Sequence, residues 1–171
     1  MASALKNLSA YDPSKLPSGA GLKIGIVVAD WHRKITHNLY QGCFDTLEQN
    51  GVKLSDIETI QVPGAFELPY GAKVLASKLK LDAIVCLGCV IQGETKHNDY
   101  INHAVASGLT QLSLAAGLPV IYGVLTPNDE QQALDRSGGK YGNKGVEAAV
   151  TALRMARLKE AVGDSGGTIG F

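Results

Sequence analysis

Strand-like and helix-like segments alternate along most of this chain, and this alternation limits its fold more than any other feature. Runs rich in β-branched and apolar residues predict buried strands at 22–29, 57–62, 82–91 and 118–125. Between and after them, helical patterns predict helices at 34–50, 66–80, 97–116, 128–137 and 146–161. Such alternation is typical of an α/β protein, here a three-layer flavodoxin-like sandwich around a four-stranded parallel sheet.

The chain is long enough for one domain and little else. Its 171 residues fit a single domain at about 150 residues each. Residues 1–21, rich in Ser, Pro, Gly and Lys, predict a flexible N-terminal arm. The predicted domain covers 22–161, and a Gly-rich C-terminal tail follows at 162–171.

The balance of charge argues against two classes of partner. Sixteen Lys and Arg residues offset sixteen Asp and Glu residues, so net charge favours neither nucleic acid nor an anionic membrane surface. No apolar run reaches the roughly 18 residues that cross a bilayer, and the first residues lack the apolar segment of a signal peptide. The expected location is the cytoplasm.

The three cysteines predict buried thiols rather than a redox or zinc centre. Cys86 and Cys89 form a C-x-x-C pattern, but inside the apolar strand at 82–91. Residues three apart in a strand point to opposite faces, so the two sulfurs should diverge. With Cys43, the number is also odd for a disulfide framework.

In a parallel α/β sheet, ligands bind beyond the carboxyl ends of the strands. Trp31 and His32 follow the first strand, and Glu67 lies in the first turn after the second. Trp31 offers a flat face for stacking on a planar ring, or it packs on its own helix. Glu67 offers a carboxylate to ligand hydroxyls, or it only complements the helix dipole. His32 by itself suggests a solvated loop residue.

The stretch after the third strand, GETKHNDY at 93–100, is the most informative. Thr95 is predicted to cap the next helix, whose free N–H groups would form an anion site suited to phosphate. His97 in the first turn is placed to move protons near neutral pH. The alternative for His97 is an exposed residue on a surface helix.

A basic, glycine-rich loop at 136–145 follows the fourth strand. Arg136, Lys140 and Lys144 could hold a phosphate there, or the loop is simply solvated. Its spacing is not that of a P-loop. No metal-ligand spacing and no dinucleotide-binding glycine motif occurs in the sequence, so neither a metal nor another cofactor is expected.

Five segments at matching spacing resemble the lumazine synthase family, over about 23–158. They are Trp31 after the first strand, VPGAFELP at 62–69, GCVIQGETKH at 88–97, LPVIYGVLT at 118–126 and RSGGKYGNKG at 136–145. The resemblance implies condensation of 5-amino-6-(D-ribitylamino)uracil with 3,4-dihydroxy-2-butanone 4-phosphate. The products would be 6,7-dimethyl-8-ribityllumazine, phosphate and water.

The resemblance also implies a role for each matching residue. His97 would be catalytic, and substrates would contact Trp31, Ala65, Phe66, Glu67, Val90, Ile91, Gly93, Glu94, Thr95, Tyr122, Arg136 and Lys144. Trp31 would stack on the pyrimidine, while Phe66 and Glu67 hold the ribityl chain. Gly93, Thr95 and Arg136 would bind phosphate. Tyr122 and Lys144 would come from a neighbouring subunit.

The family forms pentamers, and its members with a short loop like the one at 138–145 build a sixty-subunit icosahedral shell. The resemblance therefore implies a homopentamer, a shell of this kind, and riboflavin synthase as a candidate cargo. Three residues depart from the family pattern: His32 replaces a frequent Asn, Lys96 a small residue or Pro, and Asn98 an aromatic.

Two other functions compete with this enzyme. A non-catalytic relative could bind a flavin or lumazine, or only form a shell, although the presence of His97, Arg136 and Lys144 argues against it. A phospho-receiver module would need an acidic pair after the first strand and an aspartate ending the third. Asp30 stands alone and the third strand ends in Cys89 and Val90, so the residues exclude that module.

Overall fold

A computed structural model describes residues 7–164, and a four-stranded parallel sheet is its centre. The strands are β1 (Ile24–Ala29), β2 (Ile57–Val62), β3 (Ala83–Cys89) and β4 (Val120–Leu125). They lie in the order β2-β1-β3-β4, and every neighbouring pair is parallel. The predicted α/β, flavodoxin-like class is therefore confirmed.

Helices cover both faces of the sheet. They are α1 (Arg33–Gln49), α2 (Leu68–Lys78), α3 (His97–Ala116), α4 (Glu130–Asp135), α5 (Lys144–Ala156) and α6 (Leu158–Asp164). The α1 and α5 helices pack against each other on one face, and α2 and α3 pack together on the other. Every residue of β1 and β3 is buried, as expected for central strands covered on both sides.

The two faces of the sheet make two separate cores because strand side chains alternate. Val85, Leu87 and Cys89 pack with α1 and α5, whereas Ile84 and Cys86 pack with α2 and α3. The two cysteines therefore point to opposite faces, as predicted. All three cysteines are free and buried.

The end of the chain differs from the single helix predicted at 146–161. The α5 helix begins at Lys144 because Oδ1 of Asn143 accepts a hydrogen bond from the main-chain N–H of Gly145. It ends at Ala156, and α6 starts after Arg157, whose guanidinium bonds the main-chain oxygens of Ser18 and Ala20.

The basic loop contains a hairpin that the sequence did not predict. Two short antiparallel strands, β5 (Ser137–Gly139) and β6 (Gly142–Asn143), pair within it. Gly138 and Gly142 have φ values of 117° and 80°, which glycine adopts without strain.

Part of the predicted arm packs on this hairpin. The main-chain N–H of Leu8 bonds the oxygen of Tyr141 at 2.7 Å, and that of Asn143 bonds Oγ of Ser9 at 2.9 Å. Residues 1–6 of the predicted arm and residues 165–171 of the predicted tail lie outside the described residues. Within 7–164, no helix has both the length and the apolar character needed to cross a bilayer.

The burial of the thiols predicts that they are unreactive in the folded protein. Burial raises the pKa of all three thiols, and that of Cys89 to about 12. Because the thiolate is the nucleophile, iodoacetamide near neutral pH should leave all three cysteines unmodified in native protein and alkylate all three in denaturant. Mass spectrometry would show this, and fast native labelling of Cys89 would contradict it.

Candidate functional site

A cavity of about 430 Å³ opens beyond the carboxyl ends of β1, β2 and β3. This volume falls in the range of small-molecule sites. Its lining consists of Trp31, His32, Gly64, Ala65, Phe66, Glu67, Cys89, Val90, Ile91, Gly93, Thr95, His97, Asn98 and Ile101. Within the described residues, no three His, Cys, Asp or Glu side chains are grouped so as to hold a metal ion.

Main-chain hydrogen bonds hold the loops around this cavity. Beyond β1, the N–H groups of Asp30 and Trp31 donate to the oxygens of Val62 and Pro63 at 2.8 and 3.0 Å. Beyond β3, the N–H of Val90 donates to the oxygen of Leu125 at 2.8 Å. The main-chain hydrogen bonding of the sheet thus continues into the loops and fixes the backbone positions from which the cavity side chains extend.

Two aromatic rings stand at the mouth of the cavity. The side chains of Trp31 and Phe66 are 70% and 59% exposed. Large apolar side chains with this exposure contribute little to the core, which disfavours the alternative that Trp31 simply packs on its own helix. Exposed rings beside a cavity are suited to contact a planar or apolar part of a ligand.

Glu67 places a carboxylate in the cavity wall. It ends a short 3₁₀ turn, Ala65–Glu67, that precedes α2, and this turn replaces the start of the predicted helix at 66. A Cβ on Gly64 would lie 3.1 Å from Oε2 of Glu67, so the carboxylate folds back over that glycine. The half-buried Glu67 can accept hydrogen bonds from a ligand in the cavity.

The N-terminus of α3 faces the same cavity. Thr95, His97 and Asn98 all line it, and His97 is the first helical residue. The first N–H groups of a helix have no partner within the helix and carry its positive dipole end, so an anion is favoured there. The predicted cap by Thr95 is wrong: the N-cap is Lys96, one residue later, and no side chain caps the helix.

His32 has an unusual backbone conformation. Its φ of 60° and ψ of 46° are left-handed, and no other non-glycine residue within 7–164 has a positive φ. Its ring lies edge-on to Trp31, with centroids 6.2 Å apart. Burial lowers its pKa from the ordinary 6.5, and the negative charge of Glu130 opposes that shift.

Four predicted site residues lie outside the cavity of their own chain. Glu94 is exposed in the loop before α3, and Tyr122 is half-buried in β4, where burial raises its pKa. Arg136 caps the end of α4, with its guanidinium carbon 4.9 Å from the ring centre of Tyr141. Lys144 begins α5 and pairs with Glu147.

Sequence reasoning missed five residues of the cavity wall. They are His32, Gly64, Cys89, Asn98 and Ile101. Helical spacing from His97 would have found Ile101, which lies four positions later on α3, and Asn98 in turn lies three positions before Ile101. Cys89 could be assigned to the cavity wall only from the structure, which shows that the last residue of β3 reaches the cavity.

Comparison with known proteins identifies close relatives. Residues 21–160 match the family described as 6,7-dimethyl-8-ribityllumazine synthase. A protein of that name from Parabacteroides distasonis is 50% identical over 158 residues, covering 92% of this chain and 99% of the relative. Those from Cytophaga hutchinsonii and Porphyromonas gingivalis are 51% and 50% identical over 155 and 159 residues. They cover 91% and 93% of this chain, and 97% and 99% of their own lengths.

The environment of His32 predicts how it titrates. Because the folded protein disfavours its charged form, stability is lost as pH falls from the unfolded pKa, about 6.5, towards the lower folded pKa. NMR of ring-labelled protein should find its midpoint below 6.5, and Glu130→Gln should lower it further. Glu94→Gln, outside the cavity, is the matched control. A midpoint at or above 6.5 would contradict the burial of this imidazole.

Proposed function

This chain belongs to the 6,7-dimethyl-8-ribityllumazine synthase family, and we propose that its cavity brings the two substrates of that enzyme together and moves protons between them. The protein is a transferase of riboflavin biosynthesis. It condenses 5-amino-6-(D-ribitylamino)uracil with 3,4-dihydroxy-2-butanone 4-phosphate. The observation that carries our assignment of roles is that one cavity collects exposed aromatic rings, a carboxylate and a histidine at a helix N-terminus.

The pyrimidine substrate occupies the β1 and β2 side of the cavity in this proposal. Trp31 stacks on the planar ring, and Phe66 covers the apolar edge of the ribityl chain. Glu67 accepts hydrogen bonds from ribityl hydroxyls. Since the N–H of Val90 is already bonded to Leu125, the ring edge is recognised by other main-chain groups of Val90 and Ile91.

The phosphate of the four-carbon substrate lies at the N-terminus of α3. Gly93 and Thr95 line the cavity there, and the dipole of a 20-residue helix favours the anion. A Cβ on Gly93 would meet nothing within 4 Å, so its neighbourhood is open. Arg136 and Lys144 supply the positive charge that a dianionic group requires.

His97 transfers the protons of the reaction. The amine of one substrate attacks the ketone of the other, a C–N bond forms, and water leaves as the imine is made. A proton is then removed so that the phosphate can leave, and the ring closes with loss of a second water. Both reacting groups are intrinsically reactive, so orientation supplies much of the acceleration, up to about 7–11 kcal/mol in favourable cases.

A second copy of the chain completes the site in this proposal. Tyr122, Arg136 and Lys144 lie outside the cavity of their own chain, which supports assigning them to the site of a neighbouring copy. Tyr100 and Leu114 on α3 are 73% and 80% exposed, which supports a covered surface in an assembly. We extend the proposed assembly to a homopentamer and a sixty-subunit shell, with riboflavin synthase as candidate cargo. Three free cysteines are consistent with a cytoplasmic location.

Replacement of His97 tests the proton-transfer role. His97→Ala should lower kcat by about 10²- to 10⁴-fold, the usual contribution of acid–base catalysis, while saturable product formation continues. The rate of lumazine formation is followed by absorbance, and the rate of a control without enzyme is subtracted. The mass of the variant particle is determined first, so that loss of assembly is recognised. His103→Ala is the matched control, since His103 is exposed on the same helix outside the cavity. Complete loss of lumazine formation in an assembled His97→Ala particle would contradict a mechanism that relies mainly on orienting the substrates.

Replacement of Arg136 tests the phosphate subsite. Losing a charged hydrogen bond costs about 1.5–3 kcal/mol, so Arg136→Ala should raise KM for the butanone phosphate about ten- to hundredfold. KM for the pyrimidine should not change. Lys140→Ala removes a cation from the same loop and is the control. An equal rise in both KM values would count against the phosphate role. If assembled wild-type protein forms product no faster than the control without enzyme, a binding or shell function is favoured instead.

A further inference from the structure

The hairpin between α4 and α5 holds Arg136 and Lys144 next to each other. The main-chain N–H of Lys144 donates to the oxygen of Arg136 at 2.8 Å. The N–H of Tyr141 donates to the oxygen of Asp135, also at 2.8 Å, and the Tyr141 ring lies under the Arg136 guanidinium. The hairpin therefore fixes the main chain of the two cations relative to each other.

Asn143 ties this unit to the rest of the fold in three directions. Its Oδ1 accepts from the N–H of Gly145 at 2.8 Å and so begins α5. Its Nδ2 donates to the main-chain oxygen of Asn38 in α1 at 2.8 Å. Its own N–H donates to Oγ of Ser9 in the N-terminal segment at 2.9 Å. One side chain and its peptide thus join α1, α5 and the segment before β1.

Gly42 in α1 leaves the space that this side chain occupies. A Cβ at position 42 would lie 2.5 Å from Nδ2 and 2.7 Å from Cγ of Asn143, which is too close for either atom to stay. Glycine inside a helix lowers its stability, so this position is better explained by the close approach of Asn143 than by any benefit to α1.

We propose that Asn143 is a positioning residue for the phosphate-binding cations Arg136 and Lys144, and that Gly42 is the residue that admits it. This inference rests on the proposed role of those cations. Asn143 is adjacent to Lys144 and on the strand paired with the one after Arg136. Without its bond to α1, the hairpin can shift, and displacements of about 1 Å at a binding group reduce its effect strongly.

The test is a double-mutant cycle with both substrates. Asn143→Ala removes the side chain and Gly42→Ala pushes it aside. Each should raise KM for the butanone phosphate, and Ki for inorganic phosphate as competitor, about tenfold. KM for the pyrimidine should stay unchanged. The double variant should be no worse than Asn143→Ala, because the new Cβ at position 42 then has no Asn143 side chain to meet.

Two further variants keep the test decisive. Gly163→Ala adds a Cβ to another helical glycine with nothing within 4 Å, so it should behave as wild type. Asn143→Ser keeps an oxygen that can cap the N–H of Gly145, loses the amide donor to Asn38 and adds no charge beside the cations. If Asn143→Ala fails to assemble, Asn143→Ser and Gly42→Ala decide the question, with the same expected change in phosphate affinity.

The possible results separate this inference from the proposed function. Equal rises in both KM values, or additive losses in the double variant, would overturn the positioning role. If Arg136→Ala weakens phosphate binding while Asn143→Ala and Gly42→Ala do not, the inference is wrong and the proposed phosphate subsite stands. If Arg136→Ala leaves phosphate binding intact, the proposed subsite itself fails.

Discussion

The pairing of main-chain groups beyond the ends of the strands is the constraint on which the site depends. Buried N–H and C=O groups must find partners, so the ladder beside β1 continues through Asp30 and Trp31 into the loop after β2. The same happens beyond β3, where Val90 pairs with Leu125. The side chains that line the cavity follow directly after these paired main-chain groups.

The two faces of the sheet have different tasks. The α2 and α3 face contributes Glu67, before one helix, and His97, at the start of the other, to the cavity at the strand ends. The α1 and α5 face supports the hairpin that bears Arg136 and Lys144, through Asn143. The cavity residues and the two cations are therefore supported by different helices, and each group of helices has its own core.

Periodicity predicted the fold well because buried strands and amphipathic helices leave strong patterns in sequence. The α3 helix and β2 have their predicted boundaries, whereas hydrogen bonds between distant segments set the details that were wrong or missed. Thr95 resembles a cap in sequence, but Lys96 is the N-cap. The early start of α5 comes from the cap that Asn143 provides for Gly145, and the same side chain also bonds Asn38 in α1, 105 positions away.

The candidate site was predictable to the extent that strand ends converge. Trp31, Glu67 and His97 follow three neighbouring strands and line one cavity. The positions of Tyr122, Arg136 and Lys144 outside this cavity could not be derived from the sequence pattern, because periodicity identifies buried faces and does not say which exposed side chains share a cavity. The left-handed backbone of His32 is one that histidine adopts more often than most non-glycine residues, but hydrophobic periodicity does not predict it.

The position of Trp31 has an optical consequence. It is the only tryptophan in the sequence, and it stands exposed at the mouth of the cavity. Indole emission from this protein therefore comes from one place, uncomplicated by tryptophans buried in the core. An aromatic compound that stacks on that ring would change its emission, whereas changes elsewhere in the fold would contribute little. The chain thus carries its own fluorescent reporter of whether the cavity is occupied.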